Sequence, residues 1–281
     1  MQKEKLELIL NRRVHAELTS TEFLPIQKGE RILITGADGS IGHALLSRLN
    51  EYEGIHVMTT DIVGDHVYMD VTDFQNVFSV VHKFQPTIIV NIAGAKHAPL
   101  GEREIWKTLS VNTIGTMNLI DASSSGCRLI LTSTCKANNP EVVYGASKLI
   151  AEKMALSAGG SVARFFNVVE TVGNVFELWN EVPEDEPLKV ASDCERHFIS
   201  VEEAVGLILY TCSAPPGRYA VNSPEKLLMK DIACRVYPDR NKKEIQPRIG
   251  DRLIELFKST SETTVEERLG GSILKLTSVH D

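Results

Sequence analysis

From residue 31 onward the chain alternates short apolar runs with stretches whose apolar residues recur every three or four positions. Arg31 to Thr35 (RILIT), Ile55 to Thr60 (IHVMTT), Thr87 to Ile92 (TIIVNI), Arg128 to Ser133 (RLILTS) and Ser161 to Phe165 (SVARF) are β-branched or aliphatic runs that predict strands buried on both faces. Between them, Phe74, Val77, Phe78, Val81 and Phe84 follow Asp73 at helical spacing, and Leu45 and Leu49 repeat the pattern after the first strand. Strands alternating with helices predict an α/β fold built on a doubly wound parallel sheet. Beyond Phe166 the pattern breaks. Pro183, Pro187, Pro215, Pro216, Pro224 and Pro247 cut the chain into short pieces, while Ser200 followed by Glu203 reads as a capping box opening a helix through Val205 and Leu207.

Composition narrows the class. The 281 residues carry 30 Lys and Arg against 37 Asp and Glu, a formal charge of −7. That leaves no positive excess to displace counterions from a nucleic-acid backbone, so nucleic acid is not an expected partner. The first thirty residues interleave charged and apolar groups and lack both a signal-peptide core and a membrane-length apolar run. A cytoplasmic protein without a membrane partner is therefore expected. The five cysteines are odd in number and show no Cys-x-x-Cys pair, which predicts reduced thiols. The eight histidines are scattered, with none at ligand spacing to a cysteine or carboxylate helix motif, so no metal site is expected.

Thr35-Gly36-Ala37-Asp38-Gly39-Ser40-Ile41-Gly42 follows a strand directly and opens a helix. Its glycines stand where the backbone turns sharply and approaches a pyrophosphate at a helix N-terminus. A glycine triplet alone also fits a plain strand-to-helix corner, but Asp61 at the end of the second strand is placed to bind an adenosine ribose. Asp70-Val71 falls where an adenine-edge contact is expected, and Ala93-Gly94-Ala95 again brings small residues to a strand end. Dinucleotide binding is the reading. NAD is favoured over NADP, because a carboxylate at Asp61 repels a 2'-phosphate and no arginine stands beside it. The expected organisation is an N-terminal extension over 1–30, an NAD(P)-binding Rossmann-type domain over 31–170, and a smaller mixed C-terminal substrate lobe over 171–281.

Tyr144 and Lys148 stand four residues apart and share one helix face. Such a pair arises by chance on many helix surfaces. Here Thr134 ends the strand upstream and Asn112 lies on the preceding helix. A hydroxyl, a phenol and an ammonium beside a nicotinamide suit oxidation of an alcohol to a ketone, since the positive charges lower the phenol pKa from its reference of about 10.

These motifs resemble the extended short-chain dehydrogenase/reductases, and within them the polysaccharide-biosynthesis (CapD-like) family of UDP-N-acetylglucosamine 4,6-dehydratases. The resemblance runs through Thr35 to Gly42, Ala93 to Pro99, Asn112 to Asn118, Ser133 to Pro140, Tyr144 to Lys148, Arg164 to Val168, Arg196 to Phe198 and Arg248 to Glu255. It implies that Tyr144 and Lys148 oxidise carbon 4 of a UDP-linked N-acetylhexosamine while Thr134 binds its hydroxyl. Lys136 matches the family's base, which takes the carbon 5 proton and must be neutral to do so. Lys96, His97, Asn167, Arg196 and Arg248 match its substrate region, with the two arginines as diphosphate ligands. A homodimer or higher homo-oligomer is implied as well.

The pattern also breaks. The family's aspartic acid, which protonates the departing carbon 6 hydroxyl, is Cys135 here, and Phe166 replaces a glycine before Asn167. A thiol can donate a proton where a thiolate cannot. Two enzyme readings follow: a 4,6-dehydratase with Cys135 as acid, favoured by the retained Lys136, or a 4-epimerase that returns hydride to carbon 4 without losing water. A non-enzymatic NAD(P)-sensing module is the third.

Overall fold

The structure is a computed structural model and describes every residue except Thr21, Glu22, Leu24 and Pro224, so the break assigned to Pro224 lies outside the described residues. In chain order the strands are β1 (Arg31–Thr35), β2 (His56–Asp61), β3 (Val67–Tyr68), β4 (Ile88–Asn91), β5 (Arg128–Thr134), β6 (Ser161–Phe165) and β7 (Asn167–Val168). They continue with β8 (Leu188–Val190), β9 (Glu195–Arg196), β10 (Phe198–Ile199), β11 (Gly217–Val221), β12 (Leu227–Leu228), β13 (Lys242–Glu244), β14 (Glu262–Arg268) and β15 (Ile273–Ser278). Nine of them form one sheet in the order β14-β15-β11-β6-β5-β4-β1-β2-β3. From β3 to β11 all neighbours pair in parallel, and the β11–β15 and β15–β14 pairs at the other end are antiparallel. This is the doubly wound Rossmann-type sheet that the alternating pattern predicts.

The aliphatic runs form strands because both faces are covered: every residue of β4 and of β6 is buried. The helix Phe74–Phe84 starts where the Asp73 carboxylate accepts hydrogen bonds from the backbone N–H groups of Gln75 and Asn76. Val77, Val81 and Phe84 are buried, whereas Phe74 and Phe78 are 38% and 45% exposed. Those two lie roughly 50–90° around the helix from the stripe that meets the sheet.

Residues 171–281 do two different things. The helix Val201–Ser213, opened by the Ser200/Glu203 capping box, buries nine of its thirteen residues and carries the chain back so that β11 pairs with β6. With β14 and β15, three strands of the main sheet thus come from beyond residue 170. The rest of the segment, with β7, makes three two-stranded ribbons, β10–β7, β12–β9 and β13–β8. A second core lies beneath, in which Trp179, Leu188, Phe198 and Ile232 pack with Leu6, Ile9 and Leu10 of the N-terminal helix Lys3–Leu10.

A buried ion network locks the sheet to the helix Val143–Ser157. Glu152, with no exposed surface, receives Arg164 at 2.5 Å and Arg218 at 2.9 Å, and Arg164 also meets Glu262 of β14 at 2.8 Å. Charges removed from water in this way persist only when paired, and the pairing fixes the helix against the strands behind it. No helix among the described residues is long and apolar enough to cross a membrane.

Candidate active site

Strand order reverses on either side of β1, which pairs with β2 and with β4, and in such sheets ligands bind in the crevice beyond the strands' carboxyl ends. A cavity of about 1180 Å³ opens there. Small-molecule and cofactor pockets usually hold about 300–1,000 Å³, so this one is of the size that takes a cofactor.

One end is built by the glycine loop. Gly36 sits at φ +68°, and a Cβ on it would lie 2.7 Å from the Ala93 nitrogen; a Cβ on Gly42 would lie 2.5 Å from the Ala37 carbonyl oxygen. Glycine is therefore required for the turn to pass under the end of β4 and for the helix Ser40–Leu49 to aim its free N–H groups at the cavity. Asp61 Oδ2 accepts from the Asp38 backbone N at 3.0 Å and its Oδ1 from Ile62 N at 2.7 Å, which fixes the carboxylate at the cavity wall. Gly39, Ser40, Ile41, Asp70, Val71, Ala93, Gly94 and Ala95 line the same end. Asp70 is tied by Thr72, whose backbone N and hydroxyl both donate to Oδ1 at 2.8 Å. Ser40 Oγ accepts from Val172 N at 3.0 Å, so a strap from the chain after β7 crosses the loop. Small residues at the close approaches and an anchored carboxylate at the end of β2 fit a dinucleotide.

Asn112 does not line the cavity but stands behind it, on a π-helical turn over Ser110–Ile114. The widened turn lets its amide reach two elements at once: Oδ1 accepts from Ala95 N at 2.9 Å, and Nδ2 donates to Ser147 Oγ at 2.9 Å. The end of β4 is thereby stapled to the helix carrying Tyr144 and Lys148. Both of those side chains, with Thr134, face the cavity. Lys148 Nζ donates to the Thr132 carbonyl at 3.1 Å, and a Cβ on Gly94 would come within 3.2 Å of it. Burial pulls the Lys148 pKa down to about 8, against the opposing pull of Glu152 one turn along. Burial raises the Tyr144 phenol, while the Lys136 charge and the Thr134 hydroxyl draw it back.

At the other end, Lys136 meets a residue that carried no expected role. Glu255, 1% exposed, takes the Lys136 ammonium at 2.7 Å, Arg196 Nε at 3.5 Å and the Asn167 amide at 2.5 Å. The carboxylate outweighs burial and holds the Lys136 pKa above its ordinary value, while Lys136, Arg196 and Asn167 hold Glu255 below its own. An anion in direct contact favours the ammonium form of Lys136, contrary to the neutral amine expected of a base. The signal in sequence was the carboxylate closing Arg248-Ile249-Gly250-Asp251-Arg252-Leu253-Ile254-Glu255.

Cys135 is the other correction. It is 1% exposed, lies in the core cluster that includes Phe165 and Phe166, and points its thiol at Glu255 Oε2, 3.7 Å away, rather than into the cavity. Burial and the Glu255 charge push the thiol up to about 12, so it is not a thiolate either. The physical reason is local: the hydroxyl of Thr134 caps a short 3-10 turn over Cys135–Ala137, and consecutive side chains there diverge, Lys136 outward and Cys135 inward. Phe166, 4% exposed, reaches the cavity wall and stacks on Phe257 with ring centroids 5.1 Å apart.

The remaining predicted positions line the rim. Lys96 Nζ donates to the Val172 carbonyl at 3.0 Å, and His97 precedes the short helix Ala98–Gly101. Asn167 donates to the His197 carbonyl at 3.0 Å and accepts from Lys136 Nζ at 3.3 Å. Arg196 is nearly buried and spends Nη1 on the Glu195 carbonyl, whereas Arg248, 62% exposed, pairs with Asp251 at 2.9 Å.

Residues 54–274 match the model of the polysaccharide biosynthesis protein family. The capsular polysaccharide biosynthesis protein CapD of Staphylococcus aureus is 26% identical over 246 residues, covering 76% of this chain and 41% of that protein. An inverting UDP-N-acetylglucosamine 4,6-dehydratase of Campylobacter jejuni is 26% identical over 267 residues, covering 83% of this chain and 79% of that one. Among solved structures, the UDP-glucose 4-epimerase of Thermus thermophilus in complex with NAD superimposes with a TM-score of 0.68 at 20% identity, over 80% of this chain and 89% of that one, a likeness of fold. The chain spans less than half the length of CapD and of the Bacillus subtilis relative EpsC. With its family model matched from just before β2 into the last strand, the chain belongs to the polysaccharide biosynthesis protein family.

Proposed function

We propose that this chain is an NAD-dependent enzyme acting at carbon 4 of a UDP-linked hexose or N-acetylhexosamine, and that it is a 4-epimerase. The observation that carries this reading is the contrast within the cavity. The group needed at carbon 4 is complete, whereas the group needed at carbons 5 and 6 lacks both a free base at Lys136 and an acid at Cys135. A bound nicotinamide supplies hydride transfer. Around it, Thr134 positions the carbon 4 hydroxyl and Tyr144 takes its proton, with the Lys136 charge and the Thr134 hydroxyl lowering the cost of the phenolate and Lys148 placed beside the nicotinamide ribose. Lys136, as an ammonium, donates a hydrogen bond to the sugar. Arg196, Arg248 and Lys96 put positive charge where a diphosphate would lie. The anchored Asp61 carboxylate supports NAD over NADP.

A second reading, 4,6-dehydration, is favoured by one observation: Lys136 lines the cavity beside the group complete for carbon 4. Incubation with UDP-N-acetylglucosamine or UDP-glucose and NAD, followed by mass spectrometry and NMR of the nucleotide sugar, separates the two. The epimerase gives product of unchanged mass inverted at carbon 4; product lighter by one water establishes dehydration. A homo-oligomer is supported by apolar side chains left outward on the helices beside the site, among them Trp106 at 82% exposure, Ile114, Met117 and Ile150.

A further inference from the structure

Asp38 stands in the glycine loop, His43 on the first turn of the helix that follows it, and His66 in the turn between β2 and β3. Their spacing matches no ligand motif in sequence, yet one ligand atom from each lies within 4.8 Å of the others. His66 Nε2 is 3.6 Å from Asp38 Oδ1, and the two imidazole rings are 6.3 Å apart at 60°. Gly64 makes the approach possible: it sits at φ +75°, and a Cβ there would fall on Asp38 Oδ1. None of the three lines the large cavity, so the cluster is separate from the site already described.

We propose that Asp38, His43 and His66 form a binding site for a divalent cation of the zinc type. Two imidazole nitrogens and one carboxylate oxygen are the donor set that suits borderline cations, with water completing a tetrahedron. Ligands about 2.0–2.2 Å from zinc stand roughly 3.3–3.5 Å apart, so the three atoms must draw in by about an ångström. Asp38 and His43 are exposed and turn freely enough to do this. His66 is oriented for the task by Thr59 Oγ1, 3.0 Å from Nδ1: in the tautomer that donates this hydrogen bond, Nε2 presents its lone pair toward Asp38. The same loop residue donates its backbone N–H to Asp61, so a cation here clamps the turn of β2 onto the glycine loop behind the carboxylate read above as the ribose ligand.

The test uses the whole chain, stripped of metal with a chelator, titrated with ZnCl2 by calorimetry and with CoCl2 by visible absorption. One equivalent of each metal binds, and cobalt gives the intense band of a tetrahedral site. His43→Ala and His66→Ala each weaken binding by about 100-fold or more, Thr59→Val by about tenfold through loss of the hydrogen bond that orients His66. Cys234→Ser, which removes an exposed thiol elsewhere, leaves the affinity unchanged. His43 projects from a helix surface, so its variant retains the fold even if His66→Ala does not. Absence of a one-equivalent site in the wild type, or wild-type affinity in His43→Ala, overturns the proposal.

Discussion

Two lysines, Lys148 buried and Lys136 partly so, face one cavity, and their surroundings drive them in opposite directions. Among the described residues Lys148 has only a backbone carbonyl within hydrogen-bond reach and a carboxylate one helical turn away, so burial dominates and its pKa drops to about 8. Lys136 has Glu255 in contact, so the ion pair dominates and its pKa rises. The lesson is that residue type does not assign chemistry. An ammonium near its pKa can tune a neighbouring phenol or yield its proton, while one locked to a carboxylate is a fixed positive charge and hydrogen-bond donor.

Removing the Lys148 centre should give the largest effect. Lys148→Ala and Tyr144→Phe are expected to lower turnover by about 10²–10⁴-fold, the range for a lost general acid or base, and Lys148→Ala should also weaken NAD binding measured by calorimetry. Turnover unchanged in either variant would remove the pair from the chemistry.

Breaking the other centre should cost stability as well. Glu255→Gln leaves the nearly buried Arg196 and the partly buried Lys136 without their counter-charge, which is expected to destabilise the fold by about 2–4 kcal/mol in denaturant titration. A change below about 1 kcal/mol would mean that the pair does not hold the charge.

The contrast also predicts opposite pH behaviour. For Lys148 the folded pKa, about 8, lies below the ordinary 10.5, so between those values the unfolded chain binds the extra proton and stability rises with pH. Lys136 has its folded pKa raised, so its contribution is fully present below 10.5 and is lost only above. Thermal melts of wild type and Lys148→Met should therefore diverge between pH 8 and 10, the wild type gaining on the variant by up to about 3 kcal/mol. Taking the difference cancels the buried Cys135 and Cys212 thiols, whose raised pKa values act in the other direction in both proteins. Parallel curves would place Lys148 in a wetter site than the geometry shows.

Smaller effects sharpen the picture at the edges. Asp61→Ala should weaken NAD binding by about tenfold, the worth of a charged hydrogen-bond acceptor, while leaving NADP binding nearly unchanged. Equal losses for both would mean that the carboxylate acts only through the Asp38 loop. Cys135→Ser should change turnover by less than about threefold, because the thiol packs in the core and does not meet the cavity. A 10²-fold loss would put the position back in the mechanism.

Much of this was legible in sequence wherever the signal was local. The aliphatic runs of β1, β4, β5 and β6, the glycine loop, Asp61 and the Tyr144–Lys148 spacing each state their structure within a few residues. What was not legible depends on residues far apart in sequence meeting in space. Glu255 reaches Lys136 across more than a hundred residues, and no periodicity announces that contact. The direction of the Cys135 side chain turns on a single short turn capped by Thr134. β11, β14 and β15 extend the sheet past residue 170 because the helix Val201–Ser213 doubles back, although the prolines around it read as a separate lobe. Likewise, Asp38, His43 and His66 meet only because Gly64 allows the turn after β2 to close on the glycine loop.

The most direct test of a chemically inert carbon 5 is to run the reaction in D2O and locate deuterium in the nucleotide sugar by NMR. With Lys136 held as an ammonium, hydride leaves and returns at carbon 4 and no carbon-bound deuterium appears in the product. Deuterium at carbon 5 would show that Lys136 gives up its proton to Glu255 and acts as a base, contradicting the account.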